Sequence, residues 1–258
     1  MYPSGHMSHV EQPWGFEGVR RENRQVYADS RIFYVDPNNI LSSDSVPNSG
    51  EDPEHPLVTI ARAVVLARAY KGDTIYVQTA DGWQYGLMTQ LSIIESVVIP
   101  STKGGIHLVG VGRGSMGTYW QPAVAGGTCL TINAMDVEVE GFCFTAFQVG
   151  GAARAIFVNW AGGGVFHGEN VTIHDCTFEG TISTGIEMEF SWYPHIYNCH
   201  FQELDVIAIV CDATGTDFAK IHDNYFNDCA KAVTLLNCDN SEIFHNRIYN
   251  ADAQAGVA

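Results

Sequence analysis

The chain has 258 residues, 46% of them hydrophobic and 16% charged, which is enough apolar material for a substantial core and leaves little room for disorder. Its 29 acidic against 13 basic residues give a formal net charge of −16, a field that repels phosphate backbones and anionic bilayers, so neither nucleic acid nor a membrane is expected as a partner. The apolar run from Leu91 to Pro100 is too short to span a bilayer, and no basic start followed by an apolar stretch marks a secretory signal, so export by the ordinary route is not indicated.

In chain order, residues 1–30 read as a polar arm with Trp14, Phe16 and a basic run at Arg20, Arg21 and Arg24. Such an arm suits docking onto another subunit, although Ser4-Gly-His-Met7 resembles a cloning remnant. Ile32-Phe-Tyr-Val-Asp36 follows as a short strand and residues 38–56 as a polar loop. From Leu57 to Tyr70, apolar residues at Ile60, Ala63, Val64, Ala67 and Ala69 recur at helical spacing, and Lys71-Gly72 supplies a normal helix stop. Asp73-Thr-Ile-Tyr-Val77 and Ile106-His-Leu-Val-Gly110 read as the first regular strands.

The remainder is a repeat. Val139-Glu-Gly-Phe-Cys-Phe144, Ile173-His-Asp-Cys-Thr-Phe178, Ile196-Tyr-Asn-Cys-His-Phe201, Ile221-His-Asp-Asn-Tyr-Phe226 and Ile243-Phe-His-Asn-Arg-Ile248 align without gaps, in steps of 34, 23, 25 and 22 residues. The long first step implies an insertion, placed at the Gly-rich loop from Ala161 to Gly164. A second strand recurs upstream of the later segments: Ala155-Ile-Phe-Val-Asn159, Gly185-Ile-Glu-Met-Glu189, Ala208-Ile-Val-Cys-Asp212 and Ala232-Val-Thr-Leu-Leu236, each opening on a small residue and alternating at the strand period. Such coils bury their apolar side only by stacking, one strand spacing or about 4.8 Å apart, so equivalent residues form ladders. Leu is scarce at the repeat positions and no helical pattern separates the strands, which excludes a leucine-rich repeat. The fold class is therefore all-β, a parallel β-helix solenoid.

One ladder carries Cys176 and Cys199 into Asn224 and Asn246, whose amides are expected to bond along the stack. The seven cysteines are odd in number and form no CxxC pair, so no zinc site of the usual spacing is visible and most read as small buried hydrophobes; Cys176 and Cys199, stacked at one ladder position, are expected to be buried, reduced thiols.

Pro56-Leu-Val-Thr-Ile60, Gly72-Asp-Thr-Ile75 and Gly110-Val-Gly112, together with the coils, resemble the start of right-handed parallel β-helix proteins of the phage tailspike and pectate-lyase-like superfamily. The resemblance implies a helix, Thr59 to Ala69, plugging the open end of the stack. It also implies one β-helix domain over residues 31–258, preceded by the arm. It is specific for fold and weak for function, since the fold carries lyases, hydrolases, adhesins and inert shafts.

Aligning the upstream strands puts Phe157, Glu187, Val210 and Thr234 in one outward column and Asn159, Glu189, Asp212 and Leu236 in the next. Glu187 and Glu189 then stand about 7 Å apart and Asp212 about 5 Å from Glu189, close enough for hydrolytic acid and nucleophile roles or for a calcium ion, the one cofactor considered. The bland reading is solvated acid on an acidic surface. Lyase chemistry by resemblance needs a basic residue on the same sheet, and Arg154 and Lys231 only border these strands. His174, Tyr197, His222 and Phe244 form a further column, read as stacked rings because its two histidines are about 9–10 Å apart, too far to share a metal. His195, His200 and His245 are placed near turns, at the surface. Trp160, Trp192 and Tyr193 are placed in loops, available to sugar rings or a subunit contact. No phosphate loop, nucleophile elbow or HExxH motif occurs.

Two readings of function follow. The first is a non-catalytic virion component, tailspike-like or capsid-decorating, assembled as a homotrimer, docked to other virion proteins through the arm and able to hold a cell-surface glycan. The absence of a leader and of a cover over the last coil favours it. The alternative is an extracellular polysaccharide hydrolase or lyase using Glu187, Glu189 and Asp212.

Overall fold

The computed structural model describes residues 30–78, 92–110, 118–146, 153–159, 168–180, 182–211 and 215–249. The arm, Trp160, the loop at Gly162, Gly112, Asp212 and the last nine residues lie outside the described residues.

Within those residues the chain forms strands β1–β21 and one helix, α1, arranged as three parallel sheets. The first sheet takes β1 (Ile32–Val35), β2 (Thr74–Val77), β5 (His107–Gly110), β8 (Glu138–Glu140), β11 (Thr172–His174), β14 (His195–Tyr197), β17 (Lys220–His222) and β20 (Glu242–Phe244). The second takes β3 (Ile93–Ile94), β6 (Thr118–Gln121), β9 (Phe142–Phe144), β12 (Thr177–Glu179), β15 (His200–Gln202), β18 (Tyr225–Asn227) and β21 (Arg247–Tyr249). The third takes β4 (Val97–Ile99), β7 (Thr128–Ile132), β10 (Ala153–Val158), β13 (Ile182–Met188), β16 (Ile207–Cys211) and β19 (Val233–Leu235). Each coil visits the three in turn, and each strand pairs with its counterpart one coil away. This is the right-handed parallel β-helix that the repeat implied.

The register follows the sequence alignment residue for residue. Val139, Ile173, Ile196, Ile221 and Ile243 stand opposite one another in the first sheet, and Phe144, Phe178, Phe201, Phe226 and Ile248 in the second. The four phenylalanines stack inside the core with centroids 5.2, 4.6 and 4.9 Å apart and planes within 14° of parallel. Burying a ring of this size stabilises by about 1.5–3 kcal/mol, and the offset contact with each neighbour adds roughly 0.5–1.5.

The corner between the first and second sheets needs one residue in the left-handed region. Gly141, Asp175, Asn198, Asp223 and His245 occupy it with φ of 78°, 53°, 54°, 54° and 55°. Asp and Asn tolerate that conformation better than most side chains, which explains the recurring His-Asp and Tyr-Asn pairs of the repeat. At Gly141 a side chain is impossible, because a Cβ there would lie 2.2 Å from the Gly110 carbonyl oxygen.

The next residue of each corner points inward and forms the expected ladder. Asn224 Nδ2 donates to the Ile196 carbonyl at 3.1 Å and to Asn246 Oδ1 at 3.0 Å, while its own Oδ1 accepts the Cys199 backbone N–H at 2.9 Å. Asn246 Nδ2 repeats the bond to the Ile221 carbonyl at 2.8 Å. Cys176 and Cys199, both buried, point their thiols at the Val139 and Ile173 carbonyls, weak versions of the same contact.

Helix α1 (Ile60–Leu66) buries Ile60, Ala63 and Val64 against β1, β2 and β4 and so closes the stack beside its first coils. It is shorter than the spacing predicts: Ala67 is the C-cap, and the chain leaves the helix before Ala69. The cause is Asp73, fully buried, which accepts the Arg68 backbone N–H at 2.8 Å and binds its guanidinium at 2.7 Å, drawing Arg68 out of helical geometry. Lys103 then takes up the freed carbonyls of Val65 and Ala67. At the other end Thr59 Oγ1 caps the Arg62 N–H, and Glu95 accepts the N–H groups of Ile60 and Ala61 at 3.0 and 2.9 Å.

Candidate functional site

Two lateral faces carry chemistry-bearing side chains. On the third sheet, Phe157, Glu187, Val210 and Thr234 stand in the predicted column. Glu189 falls just past the end of β13, half-buried, its backbone N–H donating to the Val158 carbonyl at 2.8 Å. Asp212, and with it the expected approach of Glu189 and Asp212, lies outside the described residues.

Arg154 differs from expectation. It belongs to β10 rather than bordering it, and it pairs with Glu187, Nη1 to Oε2 at 3.0 Å, while its guanidinium carbon lies 4.1 Å from the centroid of the Phe157 ring. Strict alternation would put Arg154 and Phe157, three residues apart, on opposite faces. The strand breaks alternation, however: Ala155 and Ile156 are both buried, and the pairing with β13 shifts register between Ala153 and Arg154. The two consecutive buried residues leave Arg154 and Phe157 on the same outer face. The small residue that opens each upstream strand sits in the same irregularity, and at Gly185 a Cβ would meet the Ala208 carbonyl oxygen at 2.5 Å. The third sheet thus presents a basic group, a carboxylate and an aromatic ring in one half-exposed cluster.

The second face is the outside of the first sheet. His174 stacks on Tyr197 at 4.8 Å, Tyr197 on His222 at 5.4 Å and His222 on Phe244 at 4.6 Å, all within 10° of parallel, as the column predicts. Because the rings stack on each other along the axis, they turn edges rather than faces outward, which removes this column as a platform for sugar rings. Its histidine edges carry the chemistry instead.

Sequence reasoning missed the continuation of this column into the earlier coils, where Glu140 lies opposite His174 and His107 opposite Glu138. There His107 Nε2 lies 2.8 Å from Glu140 Oε1, and His174 Nε2 lies 3.0 Å from Glu138 Oε1 and 3.4 Å from Glu140 Oε2. His174 Nδ1 meets Asp175 Oδ2 at 2.7 Å. The signal was present: Glu-Val-Glu at 138–140 aligns over Thr-Ile-His at 172–174. Higher in the stack, His195 Nε2 approaches His222 Nε2 at 2.5 Å, and His222 Nδ1 meets Asp223 at 2.7 Å. His195 and His200 open β14 and β15 directly after turns, but His195 is buried rather than at the surface as expected; His245 sits at a corner with its side chain 77% exposed. Trp192 and Tyr193 are loop aromatics as expected, Tyr193 stacked on Phe218 at 4.8 Å.

A family model described as the right-handed β-helix region matches residues 127–258. No curated protein matches the chain. Among solved structures, a rhamnogalacturonan lyase aligns with a TM-score of 0.47 and 15% identity over 87% of this chain and 64% of its own, so the chain spans less than two thirds of that enzyme. The A-module of a mannuronan C-5 epimerase from Azotobacter vinelandii aligns with a TM-score of 0.36 and 12% identity, covering 81% of this chain and 73% of the module. With three parallel sheets wound from one repeated coil, and with that model matching from Gly127 onward, the chain belongs to the right-handed β-helix family.

Proposed function

We propose that this β-helix binds carbohydrate on the lateral face of its third sheet, without turning it over, as a surface part of a virus particle. The observation that carries the reading is the arginine held between Phe157 and Glu187. A guanidinium offers five donors in a planar fork, of which the carboxylate takes only those that face it; the others suit the paired hydroxyls of a sugar, and a carboxylate accepts from the same hydroxyls. Ring and ion pair fix the fork in place, so little rotamer entropy is lost on binding. The charge of −16 favours a neutral glycan over a polyanionic one. The particle setting rests on the tailspike resemblance alone, and with it goes assembly as a parallel homotrimer, which sedimentation of the full chain at micromolar concentration tests by mass.

A glycan array probed with the full chain, Arg154→Ala and Glu187→Gln tests the binding. Wild type should retain neutral glycans and Arg154→Ala should lose them; equal retention by both refutes the assignment. Polysaccharide cleavage is the second reading, favoured by the same arginine, since it supplies the basic group beside a carboxylate that lyase chemistry requires. Ultraviolet-absorbing unsaturated ends formed by β-elimination in a uronic-acid polysaccharide incubated with wild type, and not with Arg154→Ala, would establish cleavage and displace the binding-only reading.

A further inference from the structure

The outer face of the first sheet, distinct from the glycan surface proposed above, gathers two histidines and two glutamates from three successive coils into one linked cluster, in which the glutamates of the middle coil lie between the two histidines. β8 supplies Glu138 and Glu140, two residues apart and on one side of the strand. His107 reaches up from β5 and His174 down from β11, each crossing to the glutamate diagonal to it. We propose that His107, Glu138, Glu140 and His174 bind a divalent transition-metal ion of the zinc class.

Three observations carry this. First, the ligand atoms are at the right separation. Four ligands held tetrahedrally at 2.0–2.1 Å from zinc are about 3.3 Å from one another. The nitrogen–oxygen distances here are 2.8, 3.0 and 3.4 Å, with Glu140 turning one oxygen to each histidine; donor atoms of His107, Glu138 and Glu140 lie within 4.8 Å of one another, and so do those of Glu140, His174 and Asp175. Second, His174 is oriented as a metal-binding histidine is. Its side chain is 8% exposed, Asp175 holds Nδ1 at 2.7 Å, and the Tyr197 ring stacks on it within 5° of parallel, so Nε2 is aimed at the two glutamates. A carboxylate on the far nitrogen fixes the tautomer that leaves Nε2 free to ligate and raises its basicity. Third, the donor chemistry selects the ion. Two imidazoles with two carboxylates suit zinc and its neighbours, whereas calcium and magnesium require oxygen donors throughout.

Purified full-length chain, stripped with chelator, exchanged into buffer with zinc chloride and passed through gel filtration, should retain one zinc per chain by elemental analysis. Cobalt in its place should give the intense visible bands of a tetrahedral site. His107→Gln and His174→Gln should each weaken zinc binding at least tenfold by calorimetry. Asp175→Asn, which leaves all four ligands intact, should weaken it about 10–100-fold. His55→Gln, altering an exposed histidine paired with Asp52 on a distant loop, should change nothing. Circular dichroism of each metal-free variant checks folding, and should His174→Gln fail to fold, Glu138→Gln serves in its place. No retained zinc, or binding that survives the double change of His107 and His174, overturns the proposal. The second outcome would move the ion elsewhere, to the His195–His222 pair for example. Calcium bound as tightly as zinc would overturn it too.

Discussion

Replacing Asn224 with alanine removes one rung of the ladder inside the corner between the first and second sheets. Asn224 is 1% exposed and its side chain makes three hydrogen bonds: Oδ1 accepts the Cys199 N–H at 2.9 Å, and Nδ2 donates to the Ile196 carbonyl at 3.1 Å and to Asn246 Oδ1 at 3.0 Å. Each such bond contributes about 0.5–1.5 kcal/mol net, and a buried N–H left without an acceptor costs roughly 1–3 kcal/mol. With the site 1% exposed, the change should destabilise by about 3–5 kcal/mol, a large fraction of the roughly 5–15 kcal/mol that holds a domain together. Urea unfolding followed by far-ultraviolet circular dichroism measures it. Two companions calibrate the result. Cys176→Ala, at the same ladder position but with only a weak thiol contact to the Val139 carbonyl, should cost about 1 kcal/mol. Asn39→Ala, whose Oδ1 accepts the Leu41 N–H in an exposed loop, should stay within about 1 kcal/mol of wild type. An Asn224→Ala loss no larger than that of Cys176→Ala would refute the reasoning, since the amide ladder would then contribute no more than its volume.

Three further outcomes are expected. Gly185→Ala should destabilise by roughly 1–3 kcal/mol in the same assay, because its methyl meets the Ala208 carbonyl oxygen at 2.5 Å and the Phe201 ring at 3.0 Å. Burial works to raise the Asp73 carboxyl, but the Arg68 guanidinium and the backbone N–H groups of Arg68 and Arg31 outweigh it and hold the group below the usual carboxylate value. Its stabilisation is therefore complete above the unfolded value, near 4, and lost as pH falls through the lower folded one, so in acid the stability of Asp73→Asn should fall less steeply than that of wild type. Cys238 is half-buried, and a hydrogen bond with Cys211 holds its thiol below the usual value while raising that of Cys211. Alkylation of the native chain, mapped by mass spectrometry, should modify Cys238 first and leave Cys176 and Cys199 intact.

The core of the stack was legible because a solenoid repeats its physics. Ile at the head and Phe at the foot of each segment meet the same neighbours in every coil, so a gapless alignment of Ile173, Ile196, Ile221 and Ile243 is also the strand register. The inward ladder at the corner was legible for the same reason, Asn224 and Asn246 continuing the column of Cys176 and Cys199, whereas the left-handed backbone at Asp175, Asn198 and Asp223 came only with the structure. What the alignment could not carry was any departure from period two. Arg154 looked peripheral because two consecutive buried residues, Ala155 and Ile156, bring it onto the face of Phe157, and their apolar character does not reveal which way they point. The helix end was misplaced because Asp73, far more than the local periodicity, decides where Arg68 goes. The histidine–glutamate cluster escaped because its members come from coils whose spacing is irregular, so His107, Glu138 and His174 share no obvious period.

The parallel pairing has a mechanical consequence. Every inter-strand hydrogen bond in the three sheets runs along the axis of the stack, so tension applied along that axis loads all three ladders of a coil junction together, and one coil cannot separate until they yield in concert. Tension applied to a single strand end across the axis instead peels one rung at a time. The column of stacked phenylalanines resists compression and sideways slip between neighbouring coils, since each ring is seated against the next within 5.2 Å. The stack is therefore strongest along its axis and weakest to a pull that peels one strand across it.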